Sequence, residues 1–307
     1  MNRHEFLGAL HDRLAPRSYL EIGVNDGRSL TLSRAPSIAV DPAFKVTSEV
    51  HCDLELVRAT SDDFFARRDP VAHLPGGVID LGFIDGMHLS DFALRDFINV
   101  ERFTTWTSVI VLDDMLPRSV SEAARDRHTG AWAGDVYKVA GVLRRHRPDL
   151  LCLAVDTEPT GVVIVFGADA SNRTLPDGYD ALHAELVVPD PQDVPADVIT
   201  RTGSVDPERL LAADIWKQLV TARDAGDARD RSIFEPVRSL AGTGPVQPPV
   251  APPETPWPPR RGKADQRNSE RSKADRSKPR RDKPAPAQRS GLRRKVRRGL
   301  RRLADRL

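Results

Sequence analysis

Three aspartates stand at the ends of two short apolar runs: Asp85 closes V-I-D-L-G-F-I-D, and Asp113 and Asp114 close S-V-I-V-L-D-D. If the runs are neighbouring parallel strands, about 4.8 Å apart, their carboxyl ends meet at one edge of a sheet. Carboxylates this close raise one another's pKa unless a cation neutralises them. We therefore expect a divalent ion held by Asp85, Asp113 and Asp114. All-oxygen ligation favours Mg²⁺ and also admits Ca²⁺ or Mn²⁺.

Simpler roles are open for the same residues. Asp113 or Asp114 could cap a turn before Pro117 while water solvates the other carboxylates. His88 follows Asp85 by three residues, about one helical turn. It could act as the general base that removes a proton from a hydroxyl group, or it could cap a helix or pair with a carboxylate.

A glycine-containing turn follows the first apolar run and reads E-I-G-V-N-D-G, from Glu21 to Gly27. Glycine at Gly23 and Gly27 permits a tight turn where a side chain would block a ligand, with Glu21 aimed at that ligand. Asp41 ends the next apolar run, where an acidic residue can accept hydrogen bonds from a ribose diol. A tight turn alone would explain the glycines, but the acidic residue on the next strand favours a nucleotide-like ligand.

The elements that must position these residues alternate between short apolar runs and segments of helical period. We predict strands over 18–24, 37–41, 54–60, 78–85, 108–113, 150–156 and 161–166. We predict helices over 29–34, 61–68, 90–103, 119–127, 134–145 and 207–225. Because only four residues separate the last two strands, they must form an antiparallel hairpin. The predicted fold is α/β, a doubly wound, Rossmann-like, mostly parallel sheet of seven strands with an antiparallel last strand.

The turn and the acidic residue after it resemble motifs one and two of the class I S-adenosylmethionine-dependent methyltransferases. The first motif of that family is Glu/Asp-x-Gly-x-Gly-x-Gly, and Asn25 replaces its middle glycine here. The dinucleotide pattern Gly-x-Gly-x-x-Gly is absent, which argues against an NAD enzyme. The resemblance implies S-adenosylmethionine as cofactor and three groups of contacts: the methionine moiety with Glu21, Gly23, Asn25 and Gly27, the ribose with Asp41, and the adenine with Ser61 and Asp62.

The aspartates resemble those of the metal-dependent O-methyltransferases, including the macrocin type that methylates sugar hydroxyls of natural products. That resemblance implies methyl transfer to a hydroxyl of a small-molecule acceptor, with a metal that chelates a diol. One alternative is a cofactor-binding relative without methyl transfer, similar to the cephalosporin-hydroxylase-like proteins. A segment at 127–138 could be a mobile lid that presents His128 and Trp132, or a connecting loop whose tryptophan packs on the core.

Charge divides the chain into unlike regions. Residues 1–241 carry 26 Lys and Arg against 38 Asp and Glu, a net charge of −12, whereas residues 242–307 carry 20 against 6, a net charge of +14. We predict a cofactor-binding domain over 1–169, a helical appendage over 170–241 and a disordered linker rich in Pro, Lys and Arg over 242–290.

The last segment, 291–307, predicts a basic amphipathic helix. Leucine or valine recurs every three or four residues from Leu292 to Leu307, beside eight Lys and Arg. An anionic membrane surface or a protein partner would use both the stripe and the charge, whereas nucleic acid would leave the stripe unused. A tethering protein that acts only through this tail is therefore a further alternative function. Without an apolar leader, and with only two cysteines, the chain is expected in the cytoplasm, with peripheral membrane attachment as an option.

Overall fold

A computed structural model of the chain describes residues 1–244 and residue 250, and its strands form one seven-stranded sheet. The strands are β1 Tyr19–Ile22, β2 Ser37–Val40, β3 Leu54–Val57, β4 Leu81–Ile84, β5 Val109–Leu112, β6 Leu151–Val155 and β7 Val162–Phe166. Their order is β3-β2-β1-β4-β5-β7-β6. Strands β1 to β5 are parallel, and β7 is antiparallel to both β5 and β6. The predicted doubly wound, mostly parallel sheet is confirmed.

The central strands are apolar on both faces. Every residue of β5 (V-I-V-L) and β7 (V-V-I-V-F) is buried, the pattern of strands that helices cover on both sides. By contrast, the edge strand β6 alternates between buried and half-buried residues. Because both faces of these strands are apolar, the sheet must be covered by helices on both sides.

Those layers are built from nine α-helices among the described residues. They are α1 Arg3–Leu14, α2 Ser61–Phe65, α3 Ser90–Glu101, α4 Lys138–His146, α5 Thr174–Leu186, α6 Ala196–Thr200, α7 Pro207–Leu211, α8 Ile215–Ala225 and α9 Glu235–Arg238. One apolar cluster contains residues of α2 to α5, and the other contains residues of α1 and α7 to α9. Short 3-10 helices occur at Leu30–Leu32, Pro75–Gly77 and Arg231–Phe234.

Several predicted helices were wrong in extent or absent. The segment 119–127 forms turns, because the Glu122 carbonyl accepts hydrogen bonds from Ala133 and Gly134 of the returning chain. Gly134 has a φ of +68°, so the helix predicted over 134–145 begins only at Lys138. The helix predicted over 29–34 is a single 3-10 turn, and the one predicted over 61–68 ends at Phe65.

Four helices, α1, α5, α6 and α9, were missed, and one helix that was predicted as continuous is divided. The helix predicted over 207–225 is α7 and α8, and the Trp216 indole N–H donates to the Leu210 carbonyl oxygen across the break (2.8 Å). Helix α1 was missed although Asn2 and Glu5 form a capping box at its start. Helix α5, in the predicted appendage, was also missed, and its Leu175 and Leu182 lie in the apolar cluster of α3 and α4.

The predicted linker and amphipathic helix, 242–290 and 291–307, lie outside the described residues except for 242–244 and 250. Within the described part of the chain, no helix has the length and apolar character needed to cross a membrane.

Candidate active site

The register of the sheet brings the predicted site residues to one edge. Ile22 pairs with Val40 on one side and with Ile84 on the other, and Ile84 pairs with Leu112. Residues 23, 41, 85 and 113, which follow these four positions, therefore leave the sheet at the same level. The strand order reverses between β1 and β4, the position where ligands bind in doubly wound sheets.

A cleft of about 570 Å³ opens at this edge. Seven of the predicted site residues line it: Gly23, Asn25, Asp41, Ser61, Asp62, Asp85 and His88. The first five form what we term the glycine end of the cleft. The cation end contains Asp85, His88 and Arg3, which line the cleft, and also Asp113 and Asp114, which contact Arg3 and His88 without lining it. Glu21, Gly27, Asp113 and Asp114 were also predicted but do not line this cleft.

Gly23 lies very close to the backbone at the end of the neighbouring strand β4. Its φ is +89°, and a Cβ atom there would lie 1.9 Å from the Asp85 carbonyl oxygen. Its amide donates to the Val40 carbonyl oxygen (2.9 Å), while the Asp85 amide donates to the Ile22 carbonyl oxygen (2.8 Å). The glycine thus lets β1, β2 and β4 remain together as the chain turns away from the sheet.

Asn25 and Gly27, in the rest of the turn, also have positive φ angles. Asn25, which replaces the motif's middle glycine, has a φ of +48°, a conformation that asparagine tolerates better than most residues. Gly27 has a φ of +84°, and a Cβ atom there would approach a methyl group of Val46 to 2.9 Å. Gly27 therefore shapes the turn from behind instead of lining the cleft.

Asp41 fastens this turn to the end of β2. Its Oδ2 atom accepts hydrogen bonds from the backbone amides of Val24 and Asn25, each 2.9 Å long. Its Oδ1 atom accepts from the Ala43 amide (2.6 Å). The predicted contact with a ribose diol stays a prediction, and the structure adds a second role, because Asp41 holds the glycine turn in place.

Glu21 lies inside the sheet beneath the turn. Its side chain is buried and accepts a hydrogen bond from the Tyr19 hydroxyl (2.7 Å), while its Oε1 atom has no partner among the described residues. Burial raises the pKa of Glu21 to about 8, and the nearby Asp85 adds to the rise, although the Tyr19 hydroxyl opposes it. The predicted contact with a methionine moiety stays a prediction, because Glu21 does not reach the cleft surface.

Ser61 and Asp62 lie at the start of α2, after the N-cap residue Thr60. Arg95 of α3 fixes Asp62 through two hydrogen bonds of 2.7 Å each, and its guanidinium group lies 4.6 Å from the centre of the Phe92 ring. The acidic side chain at this point of the cleft is therefore held in one orientation.

Asp96 is a cleft residue that sequence reasoning missed. It is buried, and this burial raises its pKa to about 7 despite a hydrogen bond with Ser61 that lowers it. His88, Phe92 and Asp96 all line the cleft and are spaced four residues apart. That spacing, typical of one helix face, was the available signal.

The three predicted metal ligands do not form one group. The Asp113 carboxylate accepts a hydrogen bond from the Arg3 guanidinium, whose same nitrogen lies 3.2 Å from Asp85 Oδ2. Asp114 instead contacts His88 Nδ1 (3.0 Å) and accepts a hydrogen bond from the Thr160 hydroxyl. Asp113 and Asp114 are consecutive, and Asp114 has a φ of +60°, so their carboxylates diverge to different partners.

His88 lies between two carboxylates. Its Nε2 atom is 3.3 Å from Asp85 Oδ1, and its Nδ1 atom is 3.0 Å from Asp114 Oδ2 and from the Trp132 carbonyl oxygen. Burial alone would lower the pKa of His88, but hydrogen bonds and charge interactions with both aspartates outweigh it and raise the pKa to about 10. In this arrangement the imidazole holds a proton at neutral pH. Its predicted role as a general base stays a prediction.

Asp85, His88 and Asp114 together form a group that could hold a metal ion. Each offers one ligand atom, and the three atoms lie within 4.8 Å of one another. The imidazole takes the place that was expected for Asp113, so the donor set is mixed nitrogen and oxygen. Mn²⁺ or a later transition metal fits such a set better than Mg²⁺, which prefers oxygen ligands.

A second pocket, of about 320 Å³, adjoins the cation end. Arg3 lines both the pocket and the cleft, and Asp114, Arg118 and Trp132 are among the other residues of the pocket. The Trp132 ring stacks on His88, with centroids 5.2 Å apart, and its indole N–H donates to the Ala124 carbonyl oxygen (2.6 Å). Trp132 is half-buried and packs against His88, outside both apolar clusters, so the connecting-loop interpretation, in which this tryptophan packs on the core, is not confirmed.

Neither a protein-family model nor a curated protein sequence matches the chain. Several solved structures are similar to about half of it. The Streptomyces achromogenes O-methyltransferase TomG, in complex with SAM, is 17% identical over 54% of this chain and 80% of its own, with a TM-score of 0.41. The Bacillus cereus O-methyltransferase in complex with SAH is 15% identical over 54% of this chain and 80% of its own, with a TM-score of 0.39. The SAH-bound Podospora anserina methyltransferase PaMTH1 is 16% identical over 54% of this chain and 77% of its own, with a TM-score of 0.39.

Proposed function

We propose that this chain is an S-adenosylmethionine-dependent methyltransferase that methylates a hydroxyl group of a small molecule. The observation that carries the proposal is the alignment of four strand ends. It sets a glycine turn, an acidic residue on the neighbouring strand and the Asp85 carboxylate along one cleft of about 570 Å³. A drug-sized ligand or cofactor fits a cleft of this volume.

In this proposal the glycine end holds the cofactor. The backbone of Gly23 and Asn25, which lines the cleft, would face the methionine moiety, and Asp41 would accept hydrogen bonds from the ribose. Ser61 and Asp62 face the adenine. S-adenosylmethionine supplies, when bound, a methyl group on a positively charged sulfur, and the acidic side chains of the cleft favour that charge.

The acceptor would approach from the neighbouring pocket, which meets the cleft at Arg3. Asp114 and Trp132 would contact the acceptor there. Its hydroxyl would then face the cleft, in line with the bond between the sulfur and the methyl group that breaks during transfer. When no ion is bound, His88, which lines the cleft and contacts Asp114 of the pocket, would pass its own proton to Asp85 or Asp114 and then take the proton of the acceptor hydroxyl. The proposed acceptor is a small molecule that carries a hydroxyl group.

The proposal includes assistance by a divalent ion. Asp85, His88 and Asp114 would hold the ion, which would supply a Lewis acid that lowers the pKa of the acceptor hydroxyl. We expect EDTA to reduce methyl transfer and added Mn²⁺ or Mg²⁺ to restore it. Full activity after EDTA treatment would leave the carboxylates with an electrostatic role alone.

Thermal unfolding of the purified chain tests the cofactor assignment. S-adenosylmethionine and S-adenosylhomocysteine should each raise the melting temperature, because a ligand that binds only the folded state stabilises it. NAD serves as the matched control and should have no effect; stabilisation by NAD alone would overturn the assignment. A cofactor-binding relative without methyl transfer predicts the same stabilisation, but no release of S-adenosylhomocysteine across a panel of sugar and aromatic diols.

We also propose that residues 291–307 bind an anionic membrane surface. The sequence supports this with eight Lys and Arg against one Asp, and with apolar residues at helical spacing. Each basic residue near such a surface contributes about 1 kcal/mol of attraction, which salt screens. A 290–307 peptide should become helical on anionic vesicles but not on neutral ones, as measured by circular dichroism. An unchanged spectrum on anionic lipid would leave a protein partner as the alternative.

A further inference from the structure

Arg3 brings a cation of the protein itself to the carboxylate edge. Its guanidinium contacts Asp113 and lies 3.2 Å from Asp85 Oδ2. The other oxygen of Asp85, Oδ1, lies 3.3 Å from His88 Nε2. Each oxygen of Asp85 therefore lies close to a side-chain nitrogen, one from Arg3 of the N-terminal helix and one from His88 of the β4–α3 connection.

The position of Arg3 is built into the fold. Asn2 caps α1 by accepting hydrogen bonds from the amides of His4 (2.9 Å) and Glu5 (3.0 Å), and the Arg3 amide donates to the Glu158 carbonyl oxygen (3.1 Å). The apolar residues of the same helix, including Phe6, Leu7 and Leu10, are fully buried. The first turn of α1 is thus fixed at both its backbone and its core side, which places the Arg3 side chain at the strand ends.

A guanidinium remains charged throughout the physiological pH range and pairs well with two carboxylates. A divalent ion on Asp85 would meet this positive charge at close range, and an ion that also used Asp113 would have to replace it. A carboxylate that pairs with Arg3 therefore binds a divalent ion less strongly, and a carboxylate that binds the ion pairs less strongly with Arg3.

We propose that Arg3 is the resident cation of this edge and competes with a divalent ion for the carboxylate of Asp85, the one residue that both would use. The proposal rests on the metal-assisted form of the function proposed above. It assigns Arg3 as a positioning residue, which balances the carboxylates when no ion is bound and weakens the affinity of the site for the ion. Because Arg3 belongs to α1, the affinity of this site for a divalent ion depends on that N-terminal helix.

Mn²⁺ binding to the full-length protein, followed by the electron paramagnetic resonance signal of free Mn²⁺, tests the proposal without S-adenosylmethionine. Arg3→Gln removes the charge with little change in length, and we expect it to bind Mn²⁺ about tenfold more tightly, because affinity follows the net charge of the ligand set. Arg3→Lys retains the charge and should bind Mn²⁺ within about threefold of the unchanged protein on the same basis.

Arg28→Gln is the matched control. Arg28 lines the same neighbouring pocket but pairs with Asp26 (2.8 Å), so its loss should leave Mn²⁺ affinity unchanged. Mn²⁺ affinity of Arg3→Gln that is equal to or weaker than that of the unchanged protein would overturn the proposal. Tight binding by Arg3→Lys would overturn it too, because it would show that charge is not the cause. If S-adenosylhomocysteine fails to bind while Arg3→Gln binds Mn²⁺ tightly, the proposed function falls and the competition stands.

Discussion

At the glycine end of the cleft, the turn that contains Gly23 and Asn25 is held through hydrogen bonds of its own backbone amides, whereas the cation end is held by side-chain ion pairs, one of them between distant segments. At the glycine end, the Gly23 amide reaches the Val40 carbonyl, and Asp41 accepts from the amides of the turn itself. At the cation end, Arg3 from the N-terminal helix meets Asp113, more than 100 residues away.

This difference in construction predicts a difference in behaviour. Backbone hydrogen bonds in a sheet edge fix one geometry, so the glycine end should bind its ligand as a preformed surface. The cation end contains two protein cations and three carboxylates, whose arrangement changes when a charge is removed or an ion is added. Substitutions at the glycine end should therefore alter cofactor affinity and stability, whereas substitutions at the cation end should alter ion affinity and proton transfer.

Gly23→Ala should produce the largest effect. The new Cβ atom would meet the Asp85 carbonyl oxygen at 1.9 Å, and backbone atoms cannot move aside as side chains do. We expect a loss of about 4 kcal/mol or more in the free energy of unfolding, from overpacking together with the strained φ. Chemical denaturation measures it.

Gly76→Ala is the matched control, because Gly76 also has a positive φ (+65°), but no atom of the described residues lies within 4 Å of the place that an added Cβ atom would take. It should cost only the backbone strain, about 1 to 2 kcal/mol. Equal losses at the two glycines would contradict the close approach of β1 to β4.

Glu21→Gln should change how stability depends on pH. The folded pKa of Glu21 is about 8, above the ordinary 4.5, so the folded state keeps a proton that the unfolded state has released. The contribution of Glu21 to the free energy of unfolding therefore falls by about a few kcal/mol as the pH rises from 4.5 to 8. Glutamine cannot ionise, so the variant should gain about 2 to 4 kcal/mol over the unchanged protein at pH 9 and little at pH 5.

Urea denaturation at the two pH values measures this effect. The exposed Glu49 offers a control, since Glu49→Gln removes a carboxylate that water solvates in both states. A Glu21→Gln variant with the same advantage at pH 5 and pH 9 would show that the buried carboxyl does not titrate as described.

Asp41→Ala should have the smallest of the three effects, and it separates the two roles of this residue. Loss of hydrogen bonds to a charged group should weaken S-adenosylhomocysteine binding by about 1 to 3 kcal/mol. An analogue without the ribose hydroxyls isolates the ribose contact. The unchanged protein should bind this analogue more weakly than S-adenosylhomocysteine, whereas Asp41→Ala should bind both alike.

The exposed Asp12 on α1 is the control for general loss of an acidic residue, and Asp12→Ala should bind S-adenosylhomocysteine normally. If Asp41→Ala still distinguishes the two ligands as strongly as the unchanged protein, Asp41 acts only through the glycine turn.

The same contrast explains what could be predicted from the sequence. The strands and the glycine end follow from local patterns: apolar runs, a glycine where β1 turns, and an acidic residue at the end of β2. Their parallel register then brings residues 23, 41 and 85 together without further information.

The cation end could not be predicted in the same way. The partners of Asp113 and Asp114 depend on a helix that was missed and on Thr160 in the β6–β7 connection. Consecutive residues were expected to share one ligand, but the left-handed backbone of Asp114 separates them. The absent helix over 119–127 has a similar cause, since the returning residues Ala133 and Gly134 use the Glu122 carbonyl oxygen that a helix would need.

The proposed function depends most directly on whether the cleft binds the methyl donor's product. Isothermal titration of S-adenosylhomocysteine into the full-length chain should show one site per chain, with affinity lost in Gly23→Ala and retained in Gly76→Ala. No binding of S-adenosylhomocysteine or S-adenosylmethionine to the folded protein, or equal binding by Gly23→Ala, would contradict the assignment of this cleft.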